Sequence, residues 1–108
     1  VIETQRLSDS SFVCRPSGSL DWTAAVSLRH VIGDSIRPGV DLAINLSRVE
    51  FIDAVGISAI AGTVRRVRAA GGHAHICGAS PEVRRRLELA GVYRLVMRCS
   101  ATNGNDAA

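Results

Sequence analysis

The residues best placed to do chemistry lie where a strand runs into a long helix. Residues 41–46 read as a buried strand, with Val40, Leu42, Ile44 and Leu46 alternating against small or polar partners. A tight loop carrying Phe51, Ile52 and Asp53 follows. A helix then runs from about Val55, with Ile57, Ile60, Ala61, Val64 and Val67 recurring on one face. Such a helix start offers free N–H groups and the positive end of a dipole. Here that start is Asp53, Ala54, Val55 and Gly56. An anion, a phosphorylated side chain or a partner's acidic group would be stabilised there. Asp53 is a natural N-cap, and capping and contact are compatible roles for one carboxylate.

Other chemistry-bearing residues carry less. His73, His75 and Cys77 share one face of an expected strand. Two strand histidines at i and i+2 can chelate zinc. The third residue would stand about 13 Å from the first along the strand, so the three do not close on one ion. No metal and no cofactor is expected. Cys14, Cys77 and Cys99 make an odd, widely spaced set, which favours a reducing cytosol over a disulfide framework. Cys77 and Cys99, on the last two expected strands, are the pair that proximity would favour. Buried inert thiols are the plainer reading. The clusters Arg65, Arg66, Arg68 and Arg84, Arg85, Arg86 fall short of the five or six like charges of an interaction tail. They read as solvated helix faces. No phosphate-cradling glycine motif, paired carboxylates or serine–histidine set appears, which argues against an enzyme.

Positioning that corner takes a complete small domain. With 108 residues the chain suits one domain and one modest core. No apolar run nears the ~20 residues needed to cross a bilayer, and the N-terminus lacks a signal-peptide pattern, so no membrane role is expected. A net charge of +3 and 4% aromatic residues, none set among the arginines, argue against nucleic acid.

In chain order, residues 1–7 suggest an edge strand, 12–15 a short strand and 16–19 a loop. Asp21 caps a first helix with a buried stripe of Ala25, Leu28, Val31 and Ile32. Gly33 suits a left-handed cap, or Ser35 and Ile36 extend the helix. After the central strand and helix, Gly71-Gly72 closes the helix and residues 73–78 form a strand. Ser80 caps a last helix with Pro81 at its first position and a stripe of Val83, Leu87 and Ala90, ended by Gly91. Residues 92–99 suit a last short strand, and 100–108 a flexible C-terminal tail. Strands alternating with helices imply an α/β fold. The expectation is a single domain over 1–99, with a mixed, mostly parallel sheet of four to five strands and three or more helices.

Several short fragments carry a resemblance. They are Gly18-Ser19-Leu20-Asp21, Asn45-Leu46-Ser47-Arg48-Val49-Glu50-Phe51-Ile52-Asp53, Gly56-Ile57, Gly71-Gly72, Ser80-Pro81-Glu82-Val83 and Leu87-Glu88-Leu89-Ala90-Gly91-Val92. In this order and spacing the chain resembles the STAS domain family, over most of residues 12–96. The resemblance implies a stand-alone anti-sigma factor antagonist. Such a protein binds an anti-sigma factor, often a serine kinase of the histidine-kinase-like ATPase fold, and so frees a sigma factor for transcription. The partner switches it off by phosphorylating a hydroxyl at the start of the second helix. The family usually reads Asp-Ser-Ser/Thr-Gly-Leu there, with the second hydroxyl residue as acceptor. This chain reads Asp53-Ala54-Val55-Gly56-Ile57, so the acceptor position is Val55 and has no hydroxyl. Ser58 lies three residues further on, at a different azimuth about 60° from Val55 by the short way round, and a relocated acceptor there is given little weight. The resemblance thus implies a docking surface at Asp21, Trp22, Asp53, Ala54, Val55, Gly56 and Ser58 without the phosphoswitch. The alternative class is a STAS-like module that binds a small molecule or lipid, or a scaffold subunit of a stress-signalling complex. The sequence leaves the oligomeric state open.

Overall fold

The computed structural model describes residues 2–33 and 36–92. Five strands and three helices follow the order β1 (Ile2–Ser8), β2 (Ser11–Leu20), α1 (Trp22–Gly33), β3 (Asp41–Asn45), β4 (Arg48–Ile52), α2 (Ala54–Ala69), β5 (His73–Cys77) and α3 (Pro81–Leu89). The sheet runs β1-β2-β3-β5, with β4 also on β2. β1 is antiparallel to β2, and the β2–β3, β2–β4 and β3–β5 pairs are parallel. This is the mixed, mostly parallel α/β sheet that the alternation of elements implies. The expected strand beyond Val92, Cys99 within it, and the tail over 100–108 lie outside the described residues, as does Ser35.

Two stretches expected to be loops are strands. Residues 16–19 continue β2, whose first half pairs with β1 and β3 and whose second half pairs with β4. Gly18, at φ 83°, sits opposite a register shift in which Glu50 is the extra residue of β4, and β2 carries on through Pro-Ser-Gly-Ser. Likewise Phe51 and Ile52 belong to β4. β3 and β4 lie along successive parts of β2 in the same direction, separated by a break at Leu46-Ser47. There the Asn45 side-chain oxygen accepts a hydrogen bond from Ser47 N at 2.9 Å, and Leu46 N donates to the Cys77 carbonyl at 2.8 Å. A local side-chain bond of this kind competes with the ladder and interrupts it.

All three helices bury their stripes in one cluster against one sheet face. The strands supply Phe12, Leu42, Ile44 and Ile76; the helices supply Leu28, Ile32, Ile60, Val64 and Leu87. Each fully buried side chain of this size contributes about 1.5–3 kcal/mol. Three expected core residues lie outside the buried set, Ile57 of α2 among them, half-buried at the edge of the cluster. Val31 is only partly buried, because the sheet-facing stripe of α1 is Ala25, Leu28 and Ile32 and Val31 turns toward β1. Ala90 is exposed, being the C-cap of α3 rather than part of its stripe. Gly33 has no left-handed cap; it stays helical, and Ile36 N donates to Ile32 O at 3.0 Å. α2 does end at the glycine pair, where Gly71 N donates to Arg68 O and Gly72 N to Val67 O, both at 2.9 Å.

The seat of α2 is the tightest place in the fold. Asp53 caps the helix, its Oδ1 accepting from Gly56 N at 2.8 Å. Asp53 N in turn donates to the Leu20 carbonyl at 3.4 Å. A Cβ on Gly56 would collide with that same carbonyl oxygen and crowd the Ile52 side chain. Gly56→Ala is therefore expected to destabilise the fold by about 3 kcal/mol, as overpacking against backbone does. Urea unfolding measures this. Asp53→Ala should cost about 1 kcal/mol and Asp53→Asn much less, since asparagine keeps the capping oxygen. Equal losses in both Asp53 variants would show that capping is not what this side chain does.

Candidate functional site

Leu20 and Ile52 are paired in register at the ends of β2 and β4. The next residue in each case is an aspartate that caps a helix. Asp21 Oδ1 accepts from Ala24 N at 3.2 Å, and Asp21 O accepts from Ala25 N at 2.7 Å. Asp53 does the same for α2. So α1 and α2 begin side by side at one end of the sheet, with both positive dipole ends facing the same way. The parallel register of β2 and β4 is what brings Asp21 and Asp53 together.

Around this end, large apolar side chains are left exposed. Trp22 is 65% exposed and Val55 43%. Ala54 and Ser58 are also exposed, Asp21 and Asp53 are half-buried, and Gly56 is buried beneath them. Gly56 therefore shapes the surface and presents nothing to it. Val55, at the second helical position, is free of the core because Gly56, Ala59 and Ile60 take the inward directions. With no hydroxyl at Ala54 or Val55, this end of α2 carries no oxygen that could accept a phosphoryl group at those side chains.

Three further large apolar residues are exposed, and helical periodicity alone does not select them. Val26, 56% exposed, stands one turn along α1 from Trp22. Phe51, 46% exposed, ends β4 beside the Asp53 loop, with the Arg86 guanidinium 5.4 Å from its ring centre. Leu89, 79% exposed, lies near the end of α3. The signal for Val26 and Leu89 was present: each is a large apolar residue off its helix's buried stripe. Phe51 lies in a stretch that reads as a loop in isolation and is strand only through its pairing with β2.

Ser58 stands one turn further along α2 from Val55, on the side toward α3. It lines a groove of about 350 Å³ with Ala54, Ile57, Arg65, Ala90 and Val92.

The strand residues weighed for metal binding divide. His73 is exposed, while His75 and Cys77 are buried against the sheet. His75 Nδ1 lies 4.0 Å from Asp41 Oδ1. Among the described residues no group of three or more His, Cys, Asp or Glu side chains gathers. Cys14 and Cys77 sit on opposite faces of the sheet. Cys14 shares a row with Ile44 and Ile76, and Cys77 is the next residue after Ile76. Burial pushes the Cys14 thiol up to about 11, which keeps it protonated and unreactive at neutral pH. No described helix is long and apolar enough to cross a membrane.

Comparison with known proteins agrees with this geometry. The STAS domain family model matches residues 2–105. The anti-sigma F factor antagonist of Paenibacillus polymyxa is 26% identical over 86 residues, covering 78% of this chain and 74% of that protein. Among solved structures, the anti-sigma factor antagonist SpoIIAA in its unphosphorylated form superposes with a TM-score of 0.78 at 24% identity, over 89% of this chain and 85% of that one. An anti-sigma factor antagonist from Mycobacterium paratuberculosis gives a TM-score of 0.74 at 28% identity, over 89% and 83%. A family match across nearly the whole length, together with the mixed five-stranded sheet and its two side-by-side capped helices, leads to one conclusion: the chain belongs to the STAS domain family.

Proposed function

We propose that this protein is an anti-sigma factor antagonist whose docking surface is always available. It binds an anti-sigma factor through the shared start of α1 and α2 and thereby releases a sigma factor for transcription. The observation that carries this reading is the exposed apolar set at that end, Trp22 and Val55, held by the half-buried caps Asp21 and Asp53. Exposed aromatic and aliphatic anchors around a rigid centre are what a protein partner uses as hot spots. Family membership and the names of the similar antagonists support the choice of partner.

The partner in this reading is a kinase-like ATPase-fold protein, and the complex works in the cytoplasm, where sigma factors act. The chain acts as a binding protein and not as an enzyme. Because the acceptor position holds Val55, the partner's kinase activity has no substrate at this site. In the family's usual arrangement a phosphate would add about −1.5 to −2 charges in the middle of the contact. Here the contact stays apolar, so control passes to something other than phosphorylation, such as the amount of either protein.

Val55→Asp separates binding from folding. An acid at the second position of a helix is favourable to the dipole, so the variant should fold at least as well as the parent. Buried in an interface, the same carboxylate loses its water, and affinity for the anti-sigma factor should fall at least about tenfold, or roughly 1.4 kcal/mol. Calorimetric titration of parent and variant checks this, with a thermal melt as the folding control. Unchanged affinity would place the partner elsewhere on the molecule.

A further inference from the structure

We propose that the docking surface continues along the outer furrow between α1 and α2, and that this furrow receives a segment of the anti-sigma factor that is apolar at one end and acidic at the other. This rests on the binding reading above and adds the chemistry that the partner must present.

The two helices start together and stay together. A side-chain carbon on Gly33, at the last position of α1, would lie 3.5 Å from the Arg66 guanidinium of α2. On α1, Trp22, Val26, Arg29 and Gly33 fall at spacings of 0, 4, 7 and 11 residues, within about 60° of one another round the helix. All four are exposed. On α2, Val55, Gly62 and Arg66 fall at 0, 7 and 11, again within about 40°. The nearness of Gly33 to the Arg66 guanidinium sets the far ends of these two stripes side by side across the furrow. Gly62 leaves it open midway, with no atom within 4 Å of where its side chain would be.

Both stripes therefore read alike, apolar near the caps and basic two to three turns on. Neither helix contains an Asp or Glu anywhere in its length. Among the described residues neither Arg29 nor Arg66 forms an ion pair. Favourable placement at a helix C-terminus accounts for Arg66 in part. It does not account for Arg29, which precedes the last turn of α1, nor for three large apolar residues left in water at the other end. A partner helix or strand laid along the furrow answers both ends at once. Its apolar residues would cover Trp22, Val26 and Val55, and an Asp or Glu about 10–16 Å further along would meet Arg29 and Arg66. Exposed charges at an interface rim act mainly on encounter rate and salt dependence.

The test is stopped-flow association of the full-length chain with each kinase-like anti-sigma factor encoded in the same genome, at low and high salt. The Arg29→Glu/Arg66→Glu double variant, folded as judged by its melt, should associate about tenfold more slowly at low salt and lose most of the salt dependence. Arg29→Lys/Arg66→Lys should behave nearly as the parent. If the charge reversal changes neither rate nor salt dependence while Val55→Asp still weakens binding, the furrow proposal is overturned and the docking reading stands. If no anti-sigma factor binds the parent, both fall. A salt-sensitive dimer in sedimentation that the reversal dissolves would assign the furrow to a second copy of this chain and equally overturn the proposal.

Discussion

The organisation of the site depends on one close approach, the first turn of α2 against the end of β2. The Leu20 carbonyl receives the Asp53 amide and sits where any side chain on Gly56 would have to go. Asp53 then closes the turn by accepting from Gly56 N. These contacts fix both the depth and the rotation of α2. With Gly56 pressed inward, Val55 has no direction left but outward. The same β2 end launches α1 from Asp21, so the position of Trp22 is tied to the position of Val55 through a single paired row, Leu20 with Ile52. A rigid joint thus presents an apolar surface that the core does not use.

That arrangement leaves exposed apolar side chains around two capped helix starts. The helices are held by a core that gathers Leu28, Ile32, Ile60, Val64 and Leu87 over one sheet face. Their caps satisfy the first-turn amides, so little backbone freedom remains to be lost on binding. The surface is then distinguished by what stands on it: exposed Trp22, Val26, Val55 and Phe51 near the caps, and arginines further along.

Much of this could be read in the sequence, for identifiable reasons. The start of α2, its cap, its inward stripe and its glycine stop all followed from periodicity and end signals that act locally. The alternation of strand and helix gave the α/β class. What escaped was non-local. Residues 16–19 carry Pro, Ser and Gly and look like a loop in isolation. They are strand because β4 pairs with them, with Glu50 as the extra residue at the register shift. Phe51 and Ile52 became strand by the same pairing. The exposure of Val26 and Leu89 and the division of His75 and Cys77 from His73 depend on which neighbours the fold supplies. So does the separation of Cys14 from Cys77 by the sheet itself, since sequence spacing says nothing about faces until register is known.

The central claim is that the α2 start is a docking surface lacking the oxygen through which it could be phosphorylated. Intact-mass measurement of the chain after prolonged incubation with its anti-sigma factor and ATP–Mg²⁺ tests it most directly, run beside a Val55→Ser variant. The account predicts an unchanged mass for the parent under conditions where the variant gains one phosphoryl group. Stoichiometric phosphorylation of the parent chain, at Ser58 or anywhere else on this surface, would contradict it.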